Sequence, residues 1–174
     1  MSFDIRPAVP PDAAAACEVL RRSITECCVQ DHQNDPDILA AWLGNKHPAM
    51  VASWFESPTN YSLVAVRGDD IVGVSLLTGA GKLALCYLLP EAQRQGAGSA
   101  LLRRLERQAI ELGMKTLYLH STATAEGFFA AHGYRRDGNV RSPYGVETIL
   151  FWKPLAEGAE PESKRKRFCN CNSA

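Results

Sequence analysis

Phe3-Asp4-Ile5-Arg6-Pro7-Ala8 alternates apolar and polar side chains, the period of a half-buried first strand. Pro10-Pro11 ends it, and Asp12 stands at the N-cap position of a helix from Ala13 to about Thr25. Ala16, Val19, Leu20 and Ile24 share one face of that helix. After the polar run Gln30 to Asp35, Pro36 opens a second short helix with Ile38, Leu39, Trp42 and Leu43. Pro48 opens a third, carrying Val51, Trp54 and Phe55.

From Tyr61 the period changes. Tyr61 to Val66 and Ile71 to Leu77 are β-type runs joined by the hairpin signal Arg67-Gly68-Asp69-Asp70, and Leu83 to Leu89 is a third run ended by Pro90. A long helix follows from about Gly98 to Leu112, stopped by Gly113. Its apolar positions Leu102, Leu105, Ala109 and Leu112 step along one face, leaving Arg103, Arg104, Arg107 and Glu111 to the wet side. Lys115 to His120 predicts a strand, Thr124 to Ala131 a short helix, and Tyr134 to Val140 with Val146 to Trp152 an antiparallel pair. The order predicts an α/β fold on a mixed sheet, with one strand–helix–strand crossover from Leu83 to His120.

Composition narrows the class. A chain of 174 residues suits one domain, and 46% hydrophobic with 22% charged residues is an ordinary globular balance. Lys plus Arg equals Asp plus Glu at 19 each, so no long nucleic-acid footprint is indicated, and any anion must be gripped locally. No run approaches the ~18 apolar residues of a membrane helix, and the first residues lack a signal-peptide pattern, so the expected location is cytoplasmic. The six cysteines have no zinc-site spacing and predict reduced, packing thiols rather than a disulfide framework.

The informative junction is Leu88-Leu89-Pro90-Glu91-Ala92-Gln93-Arg94-Gln95-Gly96-Ala97-Gly98-Ser99. A buried strand runs into a loop with two glycines that opens a long helix, whose first amides have no internal partner and carry partial positive charge. Without side chains at Gly96 and Gly98 a phosphate can approach those amides, and Arg94 can add a charge-assisted contact. A dinucleotide fingerprint would need glycine where Leu101 stands, and no Walker G-K-[ST] triplet occurs. The bland alternative is a glycine-rich helix start without a ligand.

Gln93-x-x-Gly96-x-Gly98 resembles the Q/R-x-x-G-x-G/A motif of the GCN5-related N-acetyltransferase (GNAT) superfamily. Leu85-Cys86-Tyr87-Leu88-Leu89-Pro90 is similar to that family's fourth strand, and Thr122 to Tyr134 to its N-x-x-A…F-Y…G-F/Y segment. The resemblance spans about Tyr61 to Trp152 and implies a single domain over residues 1–153 with a mostly antiparallel sheet, strands 4 and 5 splayed and helices flanking. It also implies acetyl-CoA as acyl donor, with backbone near Leu88 pairing with the pantetheine arm. Gln93, Arg94, Gln95, Gly96, Ala97, Gly98 and Ser99 would hold the pyrophosphate, and Thr122 would bond a cofactor amide. A small or amino-acid-like amine then attacks the thioester directly. A homodimer is common in that family and rests here on the resemblance alone.

Two departures stand out. The family's proton-donating tyrosine is Phe129 here, and the carboxylate early in the fourth strand is missing from Leu83-Ala84-Leu85-Cys86. His120, at the end of a strand, is a candidate base, and Tyr144, in the last hairpin, a candidate acid; as bland alternatives they are a strand-end histidine and a turn aromatic. Cys86 lacks an evident base and reads as packing. Glu26, Asp31 and Asp35 are candidates to attract a cationic amine, with Trp42 as a wall; otherwise they are solvated carboxylates and a core tryptophan. No metal site is indicated. The alternative to an enzyme is a non-catalytic coenzyme A-binding module.

Residues 154–174, rich in Glu, Lys and Arg, predict a disordered tail. Its Cys171-Asn172-Ser173-Ala174 formally fits a prenylation signal, but the middle residues are polar rather than aliphatic.

Overall fold

The computed structural model describes residues 2–160. In chain order the elements are β1 (Asp4–Pro7), α1 (Ala13–Arg22), α2 (Val29–His32), α3 (Pro36–Leu43), α4 (Pro48–Glu56), β2 (Asn60–Arg67), β3 (Asp70–Thr78), β4 (Leu83–Leu88), α5 (Ala97–Glu111), β5 (Thr116–Ser121), α6 (Glu126–Ala131), β6 (Arg135–Arg141) and β7 (Glu147–Pro154). A four-stranded antiparallel sheet, ordered β1-β2-β3-β4, stands beside a three-stranded one, ordered β5-β7-β6. A single β-bridge, Lys82 to Tyr118 in the parallel sense, links them. This is the mixed α/β arrangement that the sequence predicts.

Helices cover both faces of the first sheet. Leu101, Leu102, Leu105 and Ala109 of α5 pack on one face with Leu63, Val72, Leu77 and Leu83. On the other, Ala16, Val19 and Leu20 of α1 and Val51 and Trp54 of α4 meet Val74, Leu76 and Leu85. Covered on both sides, β3 reads as a near-continuous apolar run rather than an alternating one.

Three local expectations differ. The first long helix is regular only to Arg22; Ser23–Cys27 form a π turn. His32 explains it: its Nδ1 accepts the Asn34 N–H at 2.9 Å, so Nε2 carries the proton and donates to the Ile24 and Thr25 carbonyls at 3.0 and 3.1 Å. Asp12 does not bond forward into α1; its carboxylate takes two bonds from Arg6, at 2.8 and 2.9 Å, and the Val9 N–H at 2.9 Å. Leu112 leaves the buried face of α5 and is 58% exposed, because Gly113, at φ +77°, reverses the chain and Met114 N–H returns to the Ala109 carbonyl. At the other end, Pro154 is still strand and the Leu155 N–H donates to the Lys115 carbonyl. The cysteine-containing residues 161–174 lie outside those described.

Candidate active site

The two sheets part at β4 and β5. Leu76 pairs with Leu85 but Leu77 pairs with Leu83, so Ala84 is an extra residue that bends β4. The Tyr118 N–H reaches the Gly81 carbonyl at 3.0 Å, and past this point the two strands are edges of separate sheets. Their facing backbone groups need a partner, which an extended ligand can supply as though it were a strand. The gap opens a cleft of about 610 Å³, with Cys86, Tyr87 and Leu88 on one wall and Leu119, His120 and Ser121 on the other.

The cleft ends at the start of α5. Arg94 takes a left-handed φ of +58°, and Gly96, at φ +93°, adopts a conformation glycine alone takes without strain. The first bond within α5 runs from the Ala100 N–H to the Gly96 carbonyl, so the amides of Ala97, Gly98 and Ser99 lie ahead of the helical ladder. At Gly98 a methyl would meet the Phe128 ring at 3.4 Å and Leu88 at 3.5 Å, which are ordinary contacts. The protein therefore leaves room for a methyl there. Ser99 Oγ lies 2.8 Å from His132 Nε2, whose Nδ1 faces the Phe128 carbonyl at 2.7 Å. That chain ties α5 to α6.

Gln93, Arg94, Gly96, Gly98, Ser99, Leu88 and Thr122 thus line one cleft, drawn from the end of β4, the loop into the start of α5 and the β5–α6 loop. Gln95 does not: its amide donates to the Glu91 carbonyl at 3.0 Å, bracing the loop from behind. Ala97 has a fully buried side chain, so only its backbone can serve a ligand. Thr122 Oγ1 accepts the Ala125 N–H at 3.1 Å. Arg22 joins the brace through bonds to Glu91 at 2.8 and 3.1 Å and to Glu26 at 2.8 Å.

Residues 29–151 match the family of acetyltransferase domains described as "Acetyltransferase (GNAT) domain". The chain belongs to the GNAT family. Among solved structures it is similar to a GCN5-related N-acetyltransferase from Rhodopseudomonas palustris (TM-score 0.77, 23% identity, 88% of this chain and 96% of that one). It is also similar to the PaiA N-acetyltransferase of Thermoplasma acidophilum in complex with coenzyme A (0.74, 18%, 88% and 99%). A third is a phosphinothricin acetyltransferase from Sinorhizobium meliloti in complex with acetyl-CoA (0.71, 20%, 97% and 96%). Among curated proteins, an amino-acid acetyltransferase of Pseudomonas putida is 34% identical over 84 residues, 44% of this chain and 19% of that protein. The chain thus spans less than a fifth of that relative's length.

Within this GNAT fold the catalytic candidates separate. His120 lines the cleft, its ring edge-on to Tyr118 at 6.2 Å. Tyr144 is not among the lining residues; it stacks on Trp42 at 4.8 Å and 11°. Phe129 is 6% exposed and packs against Tyr134 and Phe151. The phenol that does line the cleft is Tyr87, which the sequence reading did not single out. It hydrogen-bonds Trp42, and desolvation, then the neighbouring Tyr144, push it well above the usual phenol range, so it holds its proton at neutral pH. The π turn adds Ser23 and Cys27, and Cys28 follows it. No periodicity announces such a turn; only the buried His32 that closes it could have hinted at it.

The acceptor candidates do not converge on the cleft. Glu26 pairs with Arg22 at 2.8 Å, and Asp35 caps α3 by accepting the Asp37 and Ile38 N–H groups at 2.9 and 3.2 Å. Asp31 accepts the Ala123 N–H at 2.7 Å and the Thr124 hydroxyl at 2.5 Å. Trp42 is 2% exposed, in a small core with Ile24, Cys28 and Val146. Each carboxylate already has protein donors, and the indole is sequestered. Among the described residues, no group of three or more His, Cys, Asp and Glu is placed to hold a metal ion, and no helix is long and apolar enough to cross a membrane.

Proposed function

We propose that this GNAT domain transfers an acetyl group from acetyl-CoA to the nitrogen of a small or amino-acid-like amine by direct attack. The observation that carries the reading is the continuity of two features. The unpaired edges of β4 and β5 lead straight to the amides of Ala97, Gly98 and Ser99 and the side chain of Arg94. An arm bearing a terminal diphosphate fits that path from end to end, its thioester beside His120 and Tyr87. The coenzyme in the Thermoplasma structure and the curated amino-acid acetyltransferases support donor and acceptor respectively.

In this reading the cleft works mainly by holding amine and thioester in line, an effect that can contribute several kcal/mol. The nitrogen lone pair forms the C–N bond, the C–S bond breaks, and sulfur leaves with its electron pair. His120 takes the proton that nitrogen loses, and Tyr87 supplies one to the thiolate. Incubation with acetyl-CoA and an amine panel, following free thiol, tests the proposal. Thiol release above background with at least one amine supports it; tight coenzyme binding without release from any amine overturns it.

That second outcome would favour a non-catalytic coenzyme A-binding module, a reading motivated by Phe129 and the missing strand carboxylate. The variant Phe129→Tyr separates a weakened enzyme, whose turnover rises, from a protein in which Tyr87 already serves.

A further inference from the structure

We infer that coenzyme binding brings a proton onto His132, a positioning residue that lends positive charge to the diphosphate end of the cleft through Ser99. The inference rests on the coenzyme reading of this same cleft. Ser99 lines the cleft where α5 begins, whereas His132 stands behind it at the end of α6 and is not among the lining residues. His132 Nδ1 lies 2.7 Å from the Phe128 carbonyl, which can only accept, so Nδ1 carries the ring proton. In the neutral ring Nε2 is then a bare acceptor, and the Ser99 hydroxyl, 2.8 Å away, donates to it.

A hydroxyl has one proton to give and two lone pairs. With its proton directed at His132, Ser99 turns only lone pairs toward the cleft, the wrong polarity for a phosphate oxygen. Protonation of Nε2 reverses the chain: Nε2–H donates to Ser99 Oγ, and the hydroxyl proton swings to the anion. One proton taken from solvent thus creates two charge-assisted bonds, imidazolium to hydroxyl and hydroxyl to phosphate. The charges already beside His132 are nearly matched. Lys153 of β7 donates to the His132 carbonyl at 2.8 Å and pairs with Glu106 of α5 at 3.0 Å. Tyr134 donates to the same Glu106 at 3.0 Å, the Phe128 ring of α6 stacks on His132 at 4.4 Å without charge, and Arg94 lies on the cleft side. A diphosphate carries more negative charge than Arg94 offsets, so its arrival favours the imidazolium. A proton bound together with the ligand makes affinity highest at low pH, and affinity falls as pH rises through the neutral range in which histidine titrates.

Calorimetry of coenzyme A with the full chain, in two buffers of different ionisation enthalpy at about pH 7.5, counts the protons taken up on binding. The 3′-phosphate of the coenzyme itself titrates near pH ~6, so the readout is the difference between the parent protein and His132→Gln, whose amide keeps a neutral donor beside Ser99. The parent is expected to take up as much as about one proton more than the variant, and to lose roughly 10-fold more affinity than the variant between about pH 6 and about pH 8. Equal uptake in the two proteins would overturn the inference while leaving the coenzyme site intact. Uptake that persists in Ser99→Ala would overturn it as well, because the hydroxyl is the link. If the parent binds no coenzyme A at all, the site assignment falls and this inference with it.

Discussion

The carboxylate of Asp31 accepts the backbone N–H of Ala123 at 2.7 Å, joining α2 to the β5–α6 loop across 92 residues of sequence. That loop also presents Thr122 and Thr124 to the cleft. Asp31 therefore holds one wall of the cleft in place. Replacing it with alanine removes a charged acceptor from three donors, the Ala123 and Thr124 N–H groups and the Thr124 hydroxyl, a loss of about 1–3 kcal/mol in stability. The variant Asp31→Ala should raise the KM for acetyl-CoA and leave the acceptor KM nearly unchanged. Steady-state kinetics with each substrate varied in turn reads the two effects apart; a rise confined to the acceptor KM would show that Asp31 binds the amine.

Gly98 distinguishes a ligand from packing. A methyl added there meets only ordinary contacts at 3.4 and 3.5 Å, so Gly98→Ala should fold normally. Its coenzyme affinity should nonetheless fall, because the methyl stands at the start of the amide row. Gly98→Glu should abolish binding through bulk and charge. Arg94→Ala, which removes a charge-assisted bond, should weaken binding roughly 10-fold or more. Calorimetry with coenzyme A measures all three, and affinity retained in Gly98→Glu would displace the site.

Ser99 and His132 should behave as one unit. Their 2.8 Å contact, continued to the Phe128 carbonyl, sets the spacing between the start of α5 and α6. Ser99→Ala and His132→Ala should each loosen coenzyme binding, and the double variant should be little worse than either single one. Additive losses in the double-mutant cycle would show that the two act separately.

Much of this was legible in the sequence because local signals and global fold agree. The hairpin at Gly68 and the helix stop at Gly113 announce their geometry through residue type, and both glycines take positive φ. Gly96 did the same in the loop at which the cleft ends. The acceptor end was opaque for a physical reason: whether a carboxylate is available depends on which donors the fold brings to it. Asp31 and Ala123 are remote in sequence, as are Arg22 and Glu91, so Asp31 and Glu26 looked free until their partners were placed. Tyr87 stayed hidden inside an apolar strand, and the bulge at Ala84 that opens the cleft has no residue signature.

Acid stability should depend on Asp12. The Arg6 guanidinium, then the Val9 N–H, hold its carboxyl below the usual carboxylate range against the opposing effect of desolvation. A carboxyl whose pKa is depressed by folding stabilises the native state above its unfolded value, near 3.9, and loses that contribution as pH falls through the native value. Asp12→Asn should therefore lower the urea midpoint at pH 7, and the gap to the parent protein should narrow steadily below about pH 4. A gap independent of pH would mean that the pair contributes by shape alone.

Cys86 lines the cleft, and a covalent acetyl-cysteine intermediate is the chemistry that competes with the proposed direct attack. Only the thiolate is a competent nucleophile. Desolvation pushes the Cys86 thiol up to about 12, and among the described residues no hydrogen-bonded base acts on it to remove the proton. At neutral pH the thiolate fraction is therefore about one part in 10⁵, too small to carry turnover without such a base. Cys86→Ala should keep most of the acetyl-transfer rate, and initial-rate plots should intersect, as a sequential mechanism requires. Parallel plots, or a stable acetyl group on the wild-type protein after mixing with acetyl-CoA alone, would establish the two-step route instead.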